Sequence, residues 1–260
     1  MTVPTDPSRP SFDYAHRDRR HWSELDRLIQ SEGIGTEDLL TNWPAYIRRR
    51  DMVRFLSHYE LFKNIIDLPG CIVELGVYKG ASFFTWTKLL ETFCPGDRSR
   101  RVYGFDHFEG LVDFTDEDGK ENERIDKVHG GWKASADHAR TLVELHNDDN
   151  LIAGVTRCQL VEGNVLDTIP KFIEDHPGLR IALLYLDMDL YEPTRFALEH
   201  LYPLVLEGGV VAFDEYALPP WEGETRAADE LTATLSPRPR LRKHPFAVHP
   251  TGWFIKGESR

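Results

Sequence analysis

Residues 72–84, which read I-V-E-L-G-V-Y-K-G-A-S-F-F, constrain the fold of this chain more than any other stretch. An apolar run ends at the acid Glu74, turns through Gly76 and Gly80, and continues into residues 81–86, whose apolar spacing is typical of a helix. In a doubly wound sheet, such a turn lies at the carboxyl end of the first strand, where glycines let the backbone approach a ligand. We therefore expect a small-molecule site at this turn.

The spacing of the glycines separates two kinds of cofactor. A dinucleotide-binding turn would read G-x-G-x-x-G, whereas this chain has G-x-x-x-G preceded by Glu74, which disfavours hydride chemistry. An acid followed by G-x-x-x-G resembles the first motif of class I S-adenosylmethionine (SAM) methyltransferases. Taken alone, the pattern also fits a tight turn without a ligand, and that alternative stays open at this point.

A second acid follows the next predicted strand. Residues 101–106 read R-V-Y-G-F-D and predict a short parallel strand that ends at Asp106, one helix after the glycine turn. A carboxylate there can accept hydrogen bonds from both hydroxyls of a ribose. We therefore predict that Asp106 binds the ribose of the cofactor, with an ordinary aspartate at a strand end as the alternative.

Length and composition favour one main domain and exclude several partners. A chain of 260 residues with 41% hydrophobic residues can bury one sizeable core, so we expect a helical extension over residues 1–67 and the main domain over residues 68–260. No apolar run is long enough to span a membrane, and the polar, proline-rich residues 1–10 lack the apolar core of a secretory signal. We therefore expect a cytoplasmic protein without a membrane partner.

The net charge of −12 argues against a nucleic-acid partner. The 3 cysteines are widely spaced and make neither a zinc pattern nor an even disulfide set.

The N-terminal extension contains two predicted amphipathic helices. Helical spacing of apolar residues predicts the first near residues 18–31; the second starts after Trp43, with Pro44 in its first turn, and runs to Ile66. Both helices lie outside the minimal sheet. They either cap the site or form a contact between subunits, and the sequence does not separate these alternatives.

A long irregular stretch, residues 107–134, follows the second strand, and we call it the lid segment. It is acidic and then glycine-rich, and long insertions of this kind are functional loops or disorder. Because it leaves the carboxyl end of a central strand, we interpret it as a mobile lid over the site, with His129 and Trp132 as candidate substrate contacts. A surface loop that does not contact substrate is the alternative.

Residues 180–189, R-I-A-L-L-Y-L-D-M-D, form the most informative predicted strand. Their continuous apolar run is typical of a sheet covered by helices on both faces, and it stops at Asp187 and Asp189. Positions two apart in an extended chain face the same side, so we expect both carboxylates in one cleft. Two like charges this close raise the pKa of at least one group unless a cation or a proton separates them.

Acids also end the following strand. Residues 210–213 predict a buried strand that leads into Asp214 and Glu215, and consecutive elements place these acids beside Asp187. Three carboxylates at one rim suit Mg²⁺ or a similar cation, whereas zinc more often recruits histidine or cysteine. Residues 238–256 predict two closing strands, so the fold class is α/β, with a mostly parallel central sheet and a C-terminal antiparallel hairpin.

Four motifs occur in a fixed order: E-L-G-V-Y-K-G-A-S at 74–82, G-F-D-H-F-E-G-L at 104–111, L-D-M-D-L-Y-E-P-T at 186–194 and G-G-V-V-A-F-D-E-Y at 208–216. Together they resemble the macrocin and mycinamicin O-methyltransferase family, metal-dependent enzymes that methylate sugar hydroxyls in antibiotic biosynthesis. The resemblance covers roughly residues 52–257. It implies a Rossmann-like class I methyltransferase fold, SAM and Mg²⁺ or a similar divalent cation as cofactors, a sugar-containing small-molecule substrate, and a homo-oligomer.

The resemblance also implies roles for individual residues. Asp189 falls at the position of the general base, and Asp187, Asp214 and Glu215 at those of the metal ligands, although the compared members carry two aspartates where this chain has Asp214 and Glu215. Tyr191 joins His129 and Trp132 as a candidate substrate contact. The residues implied to bind SAM are Glu74, Gly76, Tyr78, Ser82, Asp106, Phe108, Gly163, Asn164, Val165 and Asp187.

Three alternatives stay open. A catechol-type metal-dependent methyltransferase shares the fold, the cofactor and the cation, because chelation by two adjacent hydroxyls serves catechols and sugars alike. A short-chain dehydrogenase would need Y-x-x-x-K; Tyr59 to Lys63 matches that pattern but lies before the glycine turn, in a predicted amphipathic helix. A non-catalytic oligomer that binds SAM or a metal would not require Asp189 at the rim of the cleft.

Overall fold

The computed structural model describes residues 14–258, with side chains from residue 19 onward. Residues 1–10, in which no secretory signal is predicted, lie outside the described part of the chain. Among the described residues, none of the helices combines the length and the apolar character needed to cross a membrane.

The described residues divide into two compact units, with the boundary between Met52 and Val53. The first four helices are α1 (Tyr14–Glu32), α2 (Thr36–Thr41), α3 (Trp43–Tyr46) and α4 (Arg49–Lys63). The second predicted helix is interrupted between α3 and α4, because Ile47 adopts an extended backbone conformation. Helix α4 continues from the first unit into the second, so its last three turns belong with the sheet.

A six-stranded sheet forms the centre of the second unit. Its strands are β1 (Cys71–Leu75), β2 (Val102–Asp106), β3 (Cys158–Glu162), β4 (Ile181–Leu186), β5 (Val205–Phe213) and β6 (Gly252–Ile255). They lie in the order β3-β2-β1-β4-β5-β6; the first five are parallel and β6 is antiparallel to β5. The predicted mostly parallel sheet with a C-terminal antiparallel pair is confirmed.

Helices cover both faces of the sheet, as the continuous apolar run of β4 predicts. The remaining helices are α5 (Ala81–Phe93), α6 (Ala136–Asp148), α7 (Val165–Asp175), α8 (Tyr191–Leu201) and α9 (Glu222–Thr234). Successive strand residues point to opposite faces. In β1, Ile72 packs in one core cluster with Phe83 of α5, whereas Val73 and Leu75 pack in the other with Phe172 of α7. The sheet is therefore shielded from water on both sides, and ligands reach it only at its ends.

The C-terminal strands differ from the prediction in two details. The first of the two predicted closing strands is reduced to a single bridge between Arg242 and Trp253, while the second is β6. Gly208, predicted to precede β5, lies inside it, because residues 206–209 bulge out of the ladder with β4 and Gly208 takes a φ of 82°.

Helix starts follow local chemistry closely. Ser135 is the N-cap of α6, since its hydroxyl accepts the backbone N–H of His138. Asn164 is the N-cap of α7, because its side chain accepts the N–H of Leu166, and the end of β3 therefore leads directly into α7.

Candidate active site at the carboxyl ends of the strands

The carboxyl ends of the five parallel strands meet at one edge of the sheet, and the winding direction reverses between β1 and β4. Ligands bind at such a switch point in open α/β sheets. The two backbones approach closely here: a Cβ atom at Gly76 would lie 1.7 Å from the carbonyl oxygen of Asp187, and Gly76 has a φ of 91°. Only glycine meets both conditions, so the glycine turn is held directly against the acidic end of β4.

A cleft of about 630 Å³ opens at this edge. Its volume falls within the range of small-molecule sites, roughly 300–1,000 Å³. The predicted site residues that line it are Gly76, Tyr78, Ser82, Asp106, Trp132, Asn164, Val165, Asp187, Asp189, Asp214 and Glu215. The fold thus brings five strand ends and the lid segment to one cavity.

Glu74 does not line the cleft, which corrects the expectation that it contacts the cofactor directly. Its side chain is fully buried behind the lining, where it accepts hydrogen bonds from the Ser82 hydroxyl at 2.9 Å and from the Trp86 indole N–H at 2.7 Å. Burial raises the pKa of Glu74 to about 8, against the opposing effect of these two donors. Glu74 therefore orients Ser82, which does face the cleft.

Two of the three candidate substrate residues also lie outside the lining. The Tyr191 hydroxyl donates to Glu230 at 2.8 Å, which directs its ring toward α9, and His129 is not part of the lining. Trp132 lines the cleft and meets the Tyr78 ring edge-on, with 5.5 Å between ring centroids. Trp132 is thus the one of the three that is placed to contact a ligand.

The Asp106 carboxylate organises the glycine turn. One of its oxygens accepts the backbone N–H groups of Val77 at 2.8 Å and Tyr78 at 2.7 Å; the other accepts that of Phe108 at 2.6 Å. The Asp106 carbonyl accepts the N–H of Gly163 at 3.0 Å. Phe108 and Gly163, predicted to bind the cofactor, are therefore bonded to Asp106 rather than exposed in the lining. A carboxylate has about four acceptor positions, so at least one remains for a ribose hydroxyl.

We expect Asp106→Asn to weaken binding of S-adenosylhomocysteine (SAH) by roughly ten- to a hundredfold, because an amide has one acceptor oxygen and its NH₂ group would face backbone N–H donors. Calorimetric titration with SAH measures this loss. Asp167→Asn, an exposed aspartate in the first turn of α7, serves as the matched control. An Asp106→Asn protein with the affinity of the control would remove Asp106 from the cofactor site.

Carboxylates from the ends of β4 and β5 form two groups in the cleft. The ligand atoms of Asp187, Asp189 and Glu215 lie within 4.8 Å of one another, and so do those of Asp214, Glu215 and His249. Glu215 belongs to both groups, so its carboxylate lies close to ligand atoms from the ends of both strands. Asp189 does not arrive there through an extended chain as predicted; its φ is 64°, and this left-handed turn folds its carboxylate back toward Asp187.

Asp214 is surrounded by hydrogen-bond donors. The Tyr185 hydroxyl donates to its Oδ1, while Arg54 Nη2 lies 3.2 Å and His249 Nδ1 3.0 Å from its Oδ2. Burial alone would raise the pKa of Asp214, but the charge of Arg54 and the hydrogen bonds from His249 and Tyr185 outweigh it and hold the pKa well below its usual range. Arg54 Nη2 also lies 3.0 Å from Asp187, so one guanidinium bridges the ends of β4 and β5.

A buried relay lies behind Asp214. The single hydroxyl proton of Tyr185 is given to Asp214, so the 3.2 Å contact between Tyr185 and His58 Nε2 requires that His58 donates. Burial and the charge of Arg54 lower the pKa of His58 to about 3, which keeps its imidazole neutral. The relay therefore fixes one Asp214 oxygen without adding charge to the site.

The pKa values of the other acids in these two groups are shifted upward. Burial, followed by the charge of Asp214, raises the pKa of Asp187 and Glu215 well above the usual range and that of Asp189 to about 7. Glu224 is fully buried beneath them, accepts the N–H of Glu215 at 2.8 Å, and has its pKa raised well above the usual range by burial. One oxygen each of Glu215 and Glu224 has no hydrogen-bond partner among the described residues. These acids outnumber the positive charges beside them, which favours a bound cation or a shared proton.

Three of these site residues were not anticipated from the sequence. Arg54 lies on the face of α4 that also carries the buried His58 and Leu61. A charged residue on an otherwise apolar helix face is the feature of the sequence that could have indicated its role. Glu224 is likewise a charged residue on a buried helix face, since it lies in the first turn of α9 and is fully buried. His249 is in a loop without periodicity, and no local pattern marks it.

Comparison with known proteins decides the family. The family described as Macrocin-O-methyltransferase (TylF) matches residues 47–234, a span that includes the glycine turn and both acidic strand ends. The chain belongs to the macrocin O-methyltransferase family. The predicted resemblance and the methyltransferase class are thereby confirmed.

Related proteins with named activities and a related crystal structure agree with this membership. A tetracenomycin 4'-O-methyltransferase of Streptomyces olivaceus, named for a dimethoxy-rhamnosyl substrate, is 30% identical over 68% of this chain and 66% of its own length. The demethyldecarbamoylnovobiocin O-methyltransferase of Streptomyces niveus is 28% identical over 84% of this chain and 77% of its own length. The crystal structure of the calicheamicin methyltransferase CalS11 is 31% identical, covers 98% of this chain and 95% of its own, and has a TM-score of 0.85.

Proposed function

We propose that this macrocin O-methyltransferase family member transfers the methyl group of SAM to a hydroxyl of a deoxysugar, on a nucleotide-linked sugar or a glycosylated natural product in antibiotic biosynthesis. The observation that carries the proposal is the single cleft in which Gly76 and Asp106 face the acidic ends of β4 and β5. Names of related proteins agree with it, since one describes a rhamnosyl-bearing substrate and an apo structure of CalS11 is titled a TDP-rhamnose 3'-O-methyltransferase.

The cofactor half of the cleft is assigned to the ends of β1, β2 and β3. Asp106 would hold the ribose, Ser82 and the Gly76 backbone would border the methionine part, and Asn164 with Val165 would border the adenine. This order follows the strand order, so the sulfonium would point toward β4. The methyl group is then directed at the acids of β4 and β5.

A divalent cation fits the acids of the second half. Glu215 lies in one group of close ligand atoms with Asp187 and in the other with Asp214, and its unpartnered oxygen is a buried acceptor that a donor or a cation would satisfy. These three residues would hold Mg²⁺ or a similar ion. Bound there, the ion would supply Lewis-acid stabilisation of the negative charge that develops on the acceptor oxygen.

Asp189 is assigned as the general base. A sugar hydroxyl is a poor nucleophile at neutral pH, and the Asp189 carboxylate can accept its proton as the methyl group is transferred. Because burial raises the pKa of Asp189 to about 7, the group is a stronger base than an exposed aspartate while still partly ionised near neutrality. Binding of donor and acceptor in one cleft adds the contribution of proximity.

The cheapest decisive test combines binding and product detection. We expect SAH but not NADH to bind in a calorimetric titration, and we expect mass spectrometry to detect methylation of dTDP-L-rhamnose or an aryl α-L-rhamnoside that stops when EDTA removes Mg²⁺. Methylation of protocatechuate but of neither sugar would instead establish the catechol-type alternative. Binding of NADH alone would contradict the assignment of the glycine turn.

We also propose that the protein is a homo-oligomer, as the family resemblance implies. Leu28 and Leu40 of the first unit expose 47% and 68% of their surface, which supplies apolar area for such a contact. Light scattering on the purified protein measures its mass, and a monomer at micromolar concentration would contradict this proposal.

A further inference from the structure

The lid segment contains a lysine that is completely buried. Lys127 is 0% exposed, although it lies in a stretch that the sequence marks as an irregular surface insertion. An ammonium group is strongly hydrated in water, so its burial is stable only if all of its hydrogens find acceptors. The acceptors around Lys127 therefore show what this residue does.

The Lys127 ammonium has three hydrogens and three acceptors. It donates to the carbonyl oxygens of Asp118 and Pro220, and Glu222 Oε2 lies 3.3 Å away. The Trp221 ring is also within reach, with its centroid 5.4 Å from the ammonium. Because every donor is used, Lys127 has no hydrogen left for a substrate, and its contacts instead join the lid segment to the start of α9.

Asp118 makes the reciprocal attachment. One carboxylate oxygen accepts the backbone N–H of Tyr191 at 2.6 Å, at the start of α8, and the other accepts the N–H and the hydroxyl of Thr115. The packing is tight: a Cβ atom at Gly223 would lie 2.0 Å from the Asp118 carboxylate. The lid segment is thus fastened to the first turns of both α8 and α9.

These two attachments hold the lid segment where it forms part of an apolar wall of the cleft. Leu111 and Ile125 of the lid segment pack with Leu190, Leu218 and Trp221 in one cluster, and all five line the cleft beside the acidic strand ends. The wall combines the lid segment with two segments that are distant from it in sequence, just before α8 and just before α9. Asp118 connects the lid segment to the first of these and Lys127 connects it to the second.

We propose that Lys127 and Asp118 form a clasp that holds the lid segment as a preformed apolar wall for the acceptor, and that Lys127 is a positioning residue for acceptor binding. The proposal rests on the proposed function, because it takes the acceptor to be a deoxysugar whose apolar face lies on this wall. It assigns to the lid segment a fixed conformation in the acceptor-free protein, instead of the mobile lid that the sequence indicates.

Lys127→Met tests the clasp, with Lys120→Met as the matched control on an exposed lysine of the same segment. The first readout is amide hydrogen exchange of the SAH-bound protein, followed by mass spectrometry. We expect exchange in residues 107–134 to accelerate in Lys127→Met, while β1 peptides and the SAH affinity match those of the control. The second readout is steady-state kinetics with the rhamnoside that the wild type methylates; the KM for it should rise about tenfold or more, with a smaller fall in kcat.

Two results would overturn the clasp: lid exchange in Lys127→Met equal to that of the control, or faster exchange with an unchanged KM. If Lys127→Met does not fold, Glu222→Gln replaces it, because that side chain is 55% exposed and its loss removes only the charged acceptor. In Glu222→Gln we expect the same increases in hydrogen exchange of residues 107–134 and in KM, but smaller ones. Exchange in these residues at the rate of the wild type would contradict the clasp. A wild type that binds SAH but methylates neither sugar would contradict the proposed function, while hydrogen exchange would still decide whether Lys127 fastens the segment.

Discussion

Asp189→Asn is expected to lower turnover by about 100- to 10,000-fold and to leave SAH affinity unchanged. The asparagine amide cannot take up the proton of the acceptor hydroxyl. Its backbone should be unperturbed, because Asp189 has a φ of 64° and asparagine tolerates this left-handed region. Methyl transfer under saturating SAM and calorimetric titration with SAH measure the two quantities on the same preparation.

Two observations separate loss of the base from a general disturbance of the cleft. Asp113→Asn is the matched control, since Asp113 also lines the cleft with a positive φ of 58° but lies outside both carboxylate groups; it should lose far less turnover. The wild type should lose turnover as the pH falls, because a base must be ionised and burial raises the pKa of Asp189 above that of an exposed aspartate. An Asp189→Asn protein that turns over like the control would remove Asp189 from the mechanism.

The parts of the fold that the sequence predicts are those whose signal is local. The apolar runs of β4 and β5 are continuous because both faces of these strands are buried, and each run ends where the chain leaves the sheet. The local pattern therefore predicts that Asp187 and Asp214 lie on neighbouring strand ends. The glycine turn is equally local, since Gly76 is required by its own φ and by the backbone of Asp187.

The site residues that no local sequence pattern indicates contact partners that are far away in the chain. Arg54 reaches Asp187 across 133 positions, and Lys127 reaches Pro220 across 93. A charged residue is expected at the surface unless its partners are known, and no local pattern identifies those partners. Glu74 shows the converse: its motif position is recognised, but only the packing of Trp86 shows that it supports the lining from behind.

Asp214→Asn is expected to weaken Mg²⁺ binding at the proposed cation site by about a hundredfold. Among the acids of the two carboxylate groups, Asp214 is the one whose pKa the surrounding donors lower, so it stays ionised. The asparagine amide removes this charge but keeps an oxygen that can accept the Tyr185 hydroxyl. Arg54 would then be left with Asp187 alone. We expect a loss of about 1–3 kcal/mol in the free energy of unfolding, small for a buried pair because the Arg54 side chain is 35% exposed.

Titration of Mg²⁺ into the SAH-bound protein, together with urea unfolding, measures both effects. Asp113→Asn is again the control, because Asp113 lines the same cleft but belongs to neither of the two carboxylate groups. If the loss of affinity is equal in the two variants, the cleft attracts the cation by its overall negative charge and Asp214 is not a ligand. If Asp214→Asn binds Mg²⁺ like the wild type, the cation site must be assigned to the group of Asp187, Asp189 and Glu215, and the guanidinium of Arg54 is then the permanent counter-ion of Asp214.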